Sequence, residues 1–245
     1  MTFSPFRIEG KDRPGGWLIT CDHATNTVPD SVNGGSLGLP ASDMGRHIAY
    51  DIGAAGVALA LGDLLQSPVI LSNFSRLVID PNRGLDDPTL LMKLYDGTII
   101  RGNRHADAAE KARRVAKFWQ PYHDALEDMA ARPEITLAAV HSFTPQLNGG
   151  AQRPWEIGIL SAHDRRLADP LIARLADDLT TPIGDNEPYA GHLPGDSVDQ
   201  HALQHGRPNV LIELRQDLIK TQEGQTAWAK RIAPILEAAR NDANL

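Results

Sequence analysis

Short apolar runs rich in β-branched residues alternate along this chain with longer stretches whose apolar positions recur every three or four residues. A continuous or alternating apolar run of four to eight residues predicts a strand, and the longer spacing predicts a helix with one buried face. Strands are therefore expected over residues 17–21, 69–73, 77–80, 135–140, 156–160 and 209–213, and helices over 43–65, 104–132, 164–179, 197–205 and 221–239. Several of the strands are apolar throughout, as in sheets covered on both faces. The alternation predicts an α/β fold: a mixed, mostly parallel sheet with helices on both faces, formed as a single domain over residues 1–245. Pro121 lacks a backbone N–H and should kink or divide the second helix. The Pro- and Gly-rich stretches 28–40, 144–154 and 184–195 read as loops long enough to build or cover a site.

The informative positions are those where the apolar runs stop. The run ending at Cys21 gives way to Asp22 and His23, the run ending at Val140 to His141, and the run ending at Ile212 to Glu213. Each of these strands delivers an ionisable residue at its C-terminal end, the edge at which open α/β sheets bind ligands. Two histidines and a carboxylate converging there suit Zn²⁺, which at catalytic sites keeps three protein ligands and leaves a position for water. Such an ion eases deprotonation of water, and a nearby carboxylate can take the proton. Each residue alone has an ordinary structural explanation as a helix cap or a charge partner; three strand ends together favour a site.

Further candidates flank these. His47 and Asp51 lie four apart in a predicted helix and so share one face, unless they form a plain surface pair. Asp51 is a candidate third metal ligand, and His47 a ligand, a supporting group or a substrate contact. Arg76 and Arg83 flank the predicted strand 77–80 and offer bidentate recognition of a carboxylate, with Asp80 as the alternative partner of either. Tyr189 and His192 lie in or beside a polar loop that either touches substrate or simply turns the chain. His201, in the helix before the Glu213 strand, is a candidate proton donor or supporting group. His105, His123, His163 and His205 read as solvated. Cys21 falls inside a strand and reads as a buried, inert thiol rather than a nucleophile.

Composition narrows the classes. A chain of 245 residues buries enough surface to need no disulfides, and one cysteine cannot form one within the chain, so a reducing cytoplasmic setting is expected. The first residues lack the apolar core of a signal peptide. The longest apolar stretch, 52–65, is interrupted by glycines and an aspartate and falls short of the roughly 18 residues of a membrane span. A net charge of −7 argues against a nucleic-acid partner but leaves room for a local basic pocket that binds a small anion. The serine-elbow, phosphate-loop and dinucleotide fingerprints do not occur.

Six segments taken together resemble the N-formylglutamate amidohydrolase family: Cys-Asp-His-Ala-Thr-Asn at 21–26, His-Ile-Ala-Tyr-Asp at 47–51, Ser-Arg-Leu-Val-Ile-Asp-Pro-Asn-Arg at 75–83, His-Ser-Phe at 141–143, Asn-Glu-Pro-Tyr at 186–189 and Ile-Glu-Leu-Arg-Gln-Asp at 212–217. The resemblance implies a zinc-carboxypeptidase-like (phosphorylase/hydrolase-like) fold. It also implies metal-dependent hydrolysis of N-formyl-L-glutamate, or a related small anionic N-acyl amino acid, to formate and L-glutamate. Zn²⁺ or another divalent metal would be held by His23, His141 and Asp51, with Glu213 as general base and His201 as a second catalytic group. Arg83 and Asn82 would grip a substrate carboxylate, with Arg76, His47, Tyr189 and Arg215 as further substrate contacts. Carboxypeptidases carry a glutamate three residues after their first zinc histidine. Here that position is Asn26, so the third ligand is assigned to Asp51, with Asn26 or water as alternatives. A deacylase of another N-acyl amino acid, a small carboxypeptidase-like peptidase and a non-catalytic metal or metabolite sensor are the competing functions.

Overall fold

The computed structural model describes residues 3–245. Its main sheet is built from β1 (Phe6–Glu9), β2 (Trp17–Cys21), β3 (Val69–Ser72), β6 (Thr136–Phe143), β7 (Ile157–Leu160), β8 (Gly184–Asp185) and β9 (Asn209–Arg215). A separate hairpin pairs β4 (Leu94–Tyr95) with β5 (Thr98–Ile99). The seven strands lie in the order β1-β3-β2-β6-β9-β7-β8. The pairs from β3 through β2 and β6 to β9 are parallel, as are β7 and β8, whereas β1 against β3 and β7 against β9 are antiparallel. The mixed, mostly parallel sheet expected from the apolar pattern is what forms.

Side-chain alternation decides where the site falls. Trp17, Ile19 and Cys21 of β2, Ala138 and Val140 of β6, and Val210, Ile212 and Leu214 of β9 enter one core with α2 (Ala54–Leu64), α5 (Ala168–Asp178) and the C-terminal helix Gln222–Asp242. The intervening positions face the other way. There Leu18 joins a core with α4 (Gln120–Ala130), while Leu137 and Ala139 pack on Val198 and Ala202 at α6 (Ser197–His201). His141 and Glu213 belong to this second alternation. The same pattern that fills the first core therefore delivers both residues to the opposite face, near the carboxyl ends of the parallel strands.

Three expectations are corrected. The helix expected over 43–65 is broken: a short α1 (Ala41–Met44) is followed by turns, and α2 starts only at Ala54. Gly53 makes the break, with φ at +83° and so little room that an added Cβ would lie 2.1 Å from the Ile219 carbonyl oxygen. His47 and Asp51 therefore stand in turns and do not share a helical face. The strand expected over 77–80 is a buried turn. Leu77, Val78 and Ile79 are apolar because they fill the core, and the first two carbonyls are satisfied by side chains: Asn103 Nδ2 donates to Leu77 O and Arg114 Nη1 to Val78 O, both at 2.7 Å. The helix expected over 104–132 is divided into α3 (Ala108–Arg114), a π turn over Val115–Trp119, and α4 with Pro121 in its first turn. No helix among the described residues is long and apolar enough to cross a membrane.

Candidate metal centre and substrate pocket

His23 lies two residues beyond β2, His141 inside β6, and Asp51 in the turn between α1 and α2. Asp51 is carried into place by its own backbone N–H, which donates to His23 O at 2.9 Å. His23, Asp51 and His141 are all buried, and each offers a ligand atom within 4.8 Å of the others. The Nδ1 atoms of His23 and His141 face the same Asp51 Oδ2, at 3.3 and 2.8 Å. Ligand atoms around a tetrahedral zinc with ~2.0–2.1 Å bonds lie about 3.3 Å apart, so little adjustment separates this group from a coordination shell.

The outer nitrogens are braced by carboxylates. His23 Nε2 is 2.7 Å from Asp80 Oδ1, and His141 Nε2 is 3.6 Å from Asp22 Oδ2, just beyond hydrogen-bond length. Tyr122 donates its phenol proton to the other Asp22 oxygen. Arg76 holds Asp80 through two bonds of 2.8 and 3.1 Å and lies 3.6 Å from Asp51 Oδ1. Carboxylates behind metal-binding histidines fix the ring orientation and raise its basicity, which is the arrangement here.

Glu213 completes the cluster. It is the register partner of His141 on the adjacent parallel strand, and its Oε2 is buried without a hydrogen-bond partner. Asp22 Oδ2 and His141 Nε2 are likewise unpartnered. Burial pushes the Glu213 carboxyl up to about 8 although the neighbouring His141 pulls the other way. Burial should also raise Asp51, yet His23 and His141 hold it far below the usual carboxylate range. Burial should lower His141, yet Asp22 and Asp51 outweigh it and hold the imidazole protonated well above its ordinary range. The cluster thus stabilises positive charge between its carboxylates. With two imidazoles and a carboxylate converging and orphaned polar atoms around them, the residues fit a divalent cation.

The cluster opens into a cavity of about 240 Å³. Asn82, Arg83, Arg76, His47 and Tyr189, the expected substrate contacts, all line it. Asn82 Oδ1 accepts from Ser197 N at 3.2 Å, which turns its amide nitrogen away from the helix. Arg83 donates Nε to Thr89 at 3.1 Å and Nη1 to Asn82 O at 2.6 Å. His47 Nε2 lies 3.5 Å from Asp96 Oδ2 in the β4–β5 hairpin, and burial lowers its pKa although Asp96 pulls the other way. Leu160, Leu193, Val198 and Leu211 give the lining an apolar part. Gly158, opposite Glu213, lets the 184–195 loop close in: an added Cβ there would lie 2.0 Å from Glu187 O.

Three candidates lie elsewhere. Arg215 is turned outward, donating to Asp217 at 2.8 Å and to Trp155 O at 3.2 Å. Asn26 ties the Met44 carbonyl at 2.8 Å and takes no part in the metal group. His201 does not line the cavity; it is buried between His123 Nδ1 at 2.7 Å and Glu127 Oε2 at 2.9 Å. His123, expected at the surface, is buried too, and its Nε2 bonds Pro81 O at 2.8 Å. His105, His163 and His205 are exposed as expected, and Cys21 is buried. Sequence reasoning passed over Asp22, Tyr95 and Asp196. Asp22 adjoins His23 at the same strand end and was legible; Tyr95 lies on a two-residue strand and gave no signal. Asp196 doubles as the N-cap of α6, and burial lifts it to about 6.

Comparison with known proteins shows the family and the fold. The N-formylglutamate amidohydrolase family model matches residues 15–220. An N-formylglutamate deformylase of Pseudomonas aeruginosa is 25% identical over 200 residues, covering 72% of this chain and 72% of its own length. The crystal structure of a gene product from Agrobacterium tumefaciens is 32% identical with a TM-score of 0.92, over 99% of this chain and 97% of its own. An N-formylglutamate amidohydrolase from Ralstonia eutropha shares the fold at 19% identity, with a TM-score of 0.70 over 98% of each chain.

Proposed function

The chain belongs to the N-formylglutamate amidohydrolase family, and from that premise we propose that it cleaves the amide of N-formyl-L-glutamate to formate and L-glutamate in a metal-dependent reaction. The observation that carries the reading is the buried, unpartnered Glu213 carboxylate held in register with His141, beside His23 and Asp51. His23, His141 and Asp51 would hold the cation. A bound Zn²⁺ supplies Lewis-acid polarisation of the acyl carbonyl and eases loss of a proton from water.

The chain's own residues supply the rest. Glu213 takes the proton of the attacking water as its oxygen adds to the formyl carbon. It returns that proton to the amide nitrogen as the C–N bond breaks, so that the amine leaves neutral. Such acid–base help is worth ~10²–10⁴ in rate. Arg83 keeps its second terminal nitrogen, and Asn82 its amide nitrogen, for a substrate carboxylate. Arg76 is committed to Asp80 and acts by holding that residue against His23.

The test is release of formate from N-formyl-L-glutamate, set beside a panel of other N-acyl amino acids. Formate should appear, and should cease after exhaustive chelation; a chelated protein that keeps its activity defeats the metal role. The apolar lining at Leu160, Leu193, Val198 and Leu211 favours one second reading, a deacylase of an amino acid with an apolar side chain. Faster turnover of N-formyl-L-leucine than of N-formyl-L-glutamate would decide for it.

A further inference from the structure

Tyr189 lines the pocket from the 184–195 loop and is 38% exposed. What holds its ring comes from a different loop. The Arg153 guanidinium lies 4.9 Å from the centre of the Tyr189 ring and 5.6 Å from that of Phe143. Its Nη1 donates to the Tyr189 phenol oxygen at 3.1 Å and to Thr144 O at 3.0 Å. The Arg153 backbone N–H closes the base of its own loop on Pro145 O at 2.8 Å. Phe143 ends β6, two residues after His141, and Thr144 lines the pocket. Arg153 therefore ties Tyr189 to the end of the strand that carries a metal ligand.

We infer that Arg153 is a positioning residue which fixes Tyr189 as a hydrogen-bond donor to an oxygen of the bound substrate. The inference rests on reading this pocket as the N-acyl amino acid site. A phenol oxygen that accepts from a guanidinium has its own proton left to give. An arginine N–H cannot accept that proton, so it is directed to another acceptor, and a carboxylate or acyl oxygen entering the pocket supplies one. Burial and the nearby Glu213 push the phenol up to about 12, so it keeps the proton across the working range. The planar guanidinium can stack on the rings and donate in one plane, which a lysine cannot reproduce.

The closing experiment measures binding of N-formyl-L-glutamate by calorimetry in the Glu213→Gln background, so that affinity is read without turnover. Tyr189→Phe, which removes only the hydroxyl, should weaken binding by about tenfold, the worth of one hydrogen bond. Arg153→Met should weaken it by a similar factor. The double variant should be no weaker than the weaker single one, because both changes remove the same bond. Arg153→Lys should recover only part of the loss, and it also serves if Arg153→Met fails to fold. Losses that multiply to about a hundredfold, or an Arg153→Met protein that binds as its parent does, overturn the inference alone. A parent that binds nothing overturns the reading of the pocket, and the inference with it.

Discussion

Two buried histidine pairs lie in this protein with the same separation and opposite outcomes. The His23 and His141 ring centres are 5.0 Å apart and meet edge to face, and those of His123 and His201 are also 5.0 Å apart but stacked. In the first pair both Nδ1 atoms converge on one carboxylate, with further carboxylates behind them. In the second, the ring nitrogens are used in series, from Pro81 O through His123 and His201 to Glu127, which Arg207 neutralises at 2.8 Å. Burial, with the charge of His201, lowers His123 to about 4, whereas carboxylates hold His141 high. Burial alone therefore does not make a histidine functional. Convergence of nitrogens upon surplus negative charge is what marks the first pair as a candidate metal site, and a chain with every nitrogen satisfied braces the structure.

The sharpest break in this contrast is Glu213→Gln. The variant should lose ~10²–10⁴ of formate release while melting close to the parent temperature, since glutamine keeps the shape and removes an unpartnered buried acid. Near-normal turnover would remove Glu213 as the base and leave the first pair no more catalytic than the second.

Asp51→Asn should have the next largest effect. Loss of a supporting carboxylate typically costs ~10–100-fold in metal affinity, and loss of a ligand should exceed that. Elemental analysis of protein purified without added metal should find the ion depleted in Asp51→Asn and retained in His201→Gln. Equal metal content in the two variants would erase the distinction between the pairs.

The second pair should show itself in stability and its pH dependence. His123 titrates at about 4 in the folded chain against ~6.5 unfolded, so between these values the unfolded state binds more protons. Its contribution is present above pH ~6.5 and is lost as pH falls, reaching about 2 kcal/mol of loss by pH 5. Denaturant unfolding of the parent and of His123→Gln at pH 7 and pH 5 isolates this part. The stability difference between the two pH values should shrink in the variant, and an unchanged difference would show that His123 is not held neutral by the fold.

How much of this was legible in the sequence follows from the same distinction. His141 and Glu213 end apolar runs, and strand periodicity carries both to one sheet face and edge, whereas His23 lies beyond the end of β2, whose odd positions Trp17, Ile19 and Cys21 face the other core, so periodicity does not place it. Asp51 was assigned through helical spacing with His47, yet it reaches the site by another route: Gly53 breaks the helix and the Asp51 N–H binds His23 O. The run Leu77-Val78-Ile79 read as a strand because burial and pairing leave the same apolar signature. Only the long-range partners Asn103 and Arg114 reveal that its first two carbonyls are satisfied without a sheet. His123 and Arg153 gave no signal for the same reason: their roles come from residues 42 and 36 positions away.

The smallest effect is expected at Arg215, which a reading by segment places beside Glu213 at the site. Arg215 follows Glu213 by two residues and so starts from the same sheet face, but it ends β9, and its guanidinium is drawn outward to the partly exposed Asp217 and to Trp155 O. An exposed pair of this kind contributes about 0–1 kcal/mol. Arg215 does not line the cavity, so Arg215→Ala should change KM for N-formyl-L-glutamate by no more than about twofold. Arg83→Ala, which removes a charge-assisted contact inside the pocket, should raise KM by ~10–100-fold. If the two alanine variants were equally impaired, the substrate would have to reach past the cavity rim to the end of β9, and the Asn82–Arg83 turn would lose its claim to the carboxylate.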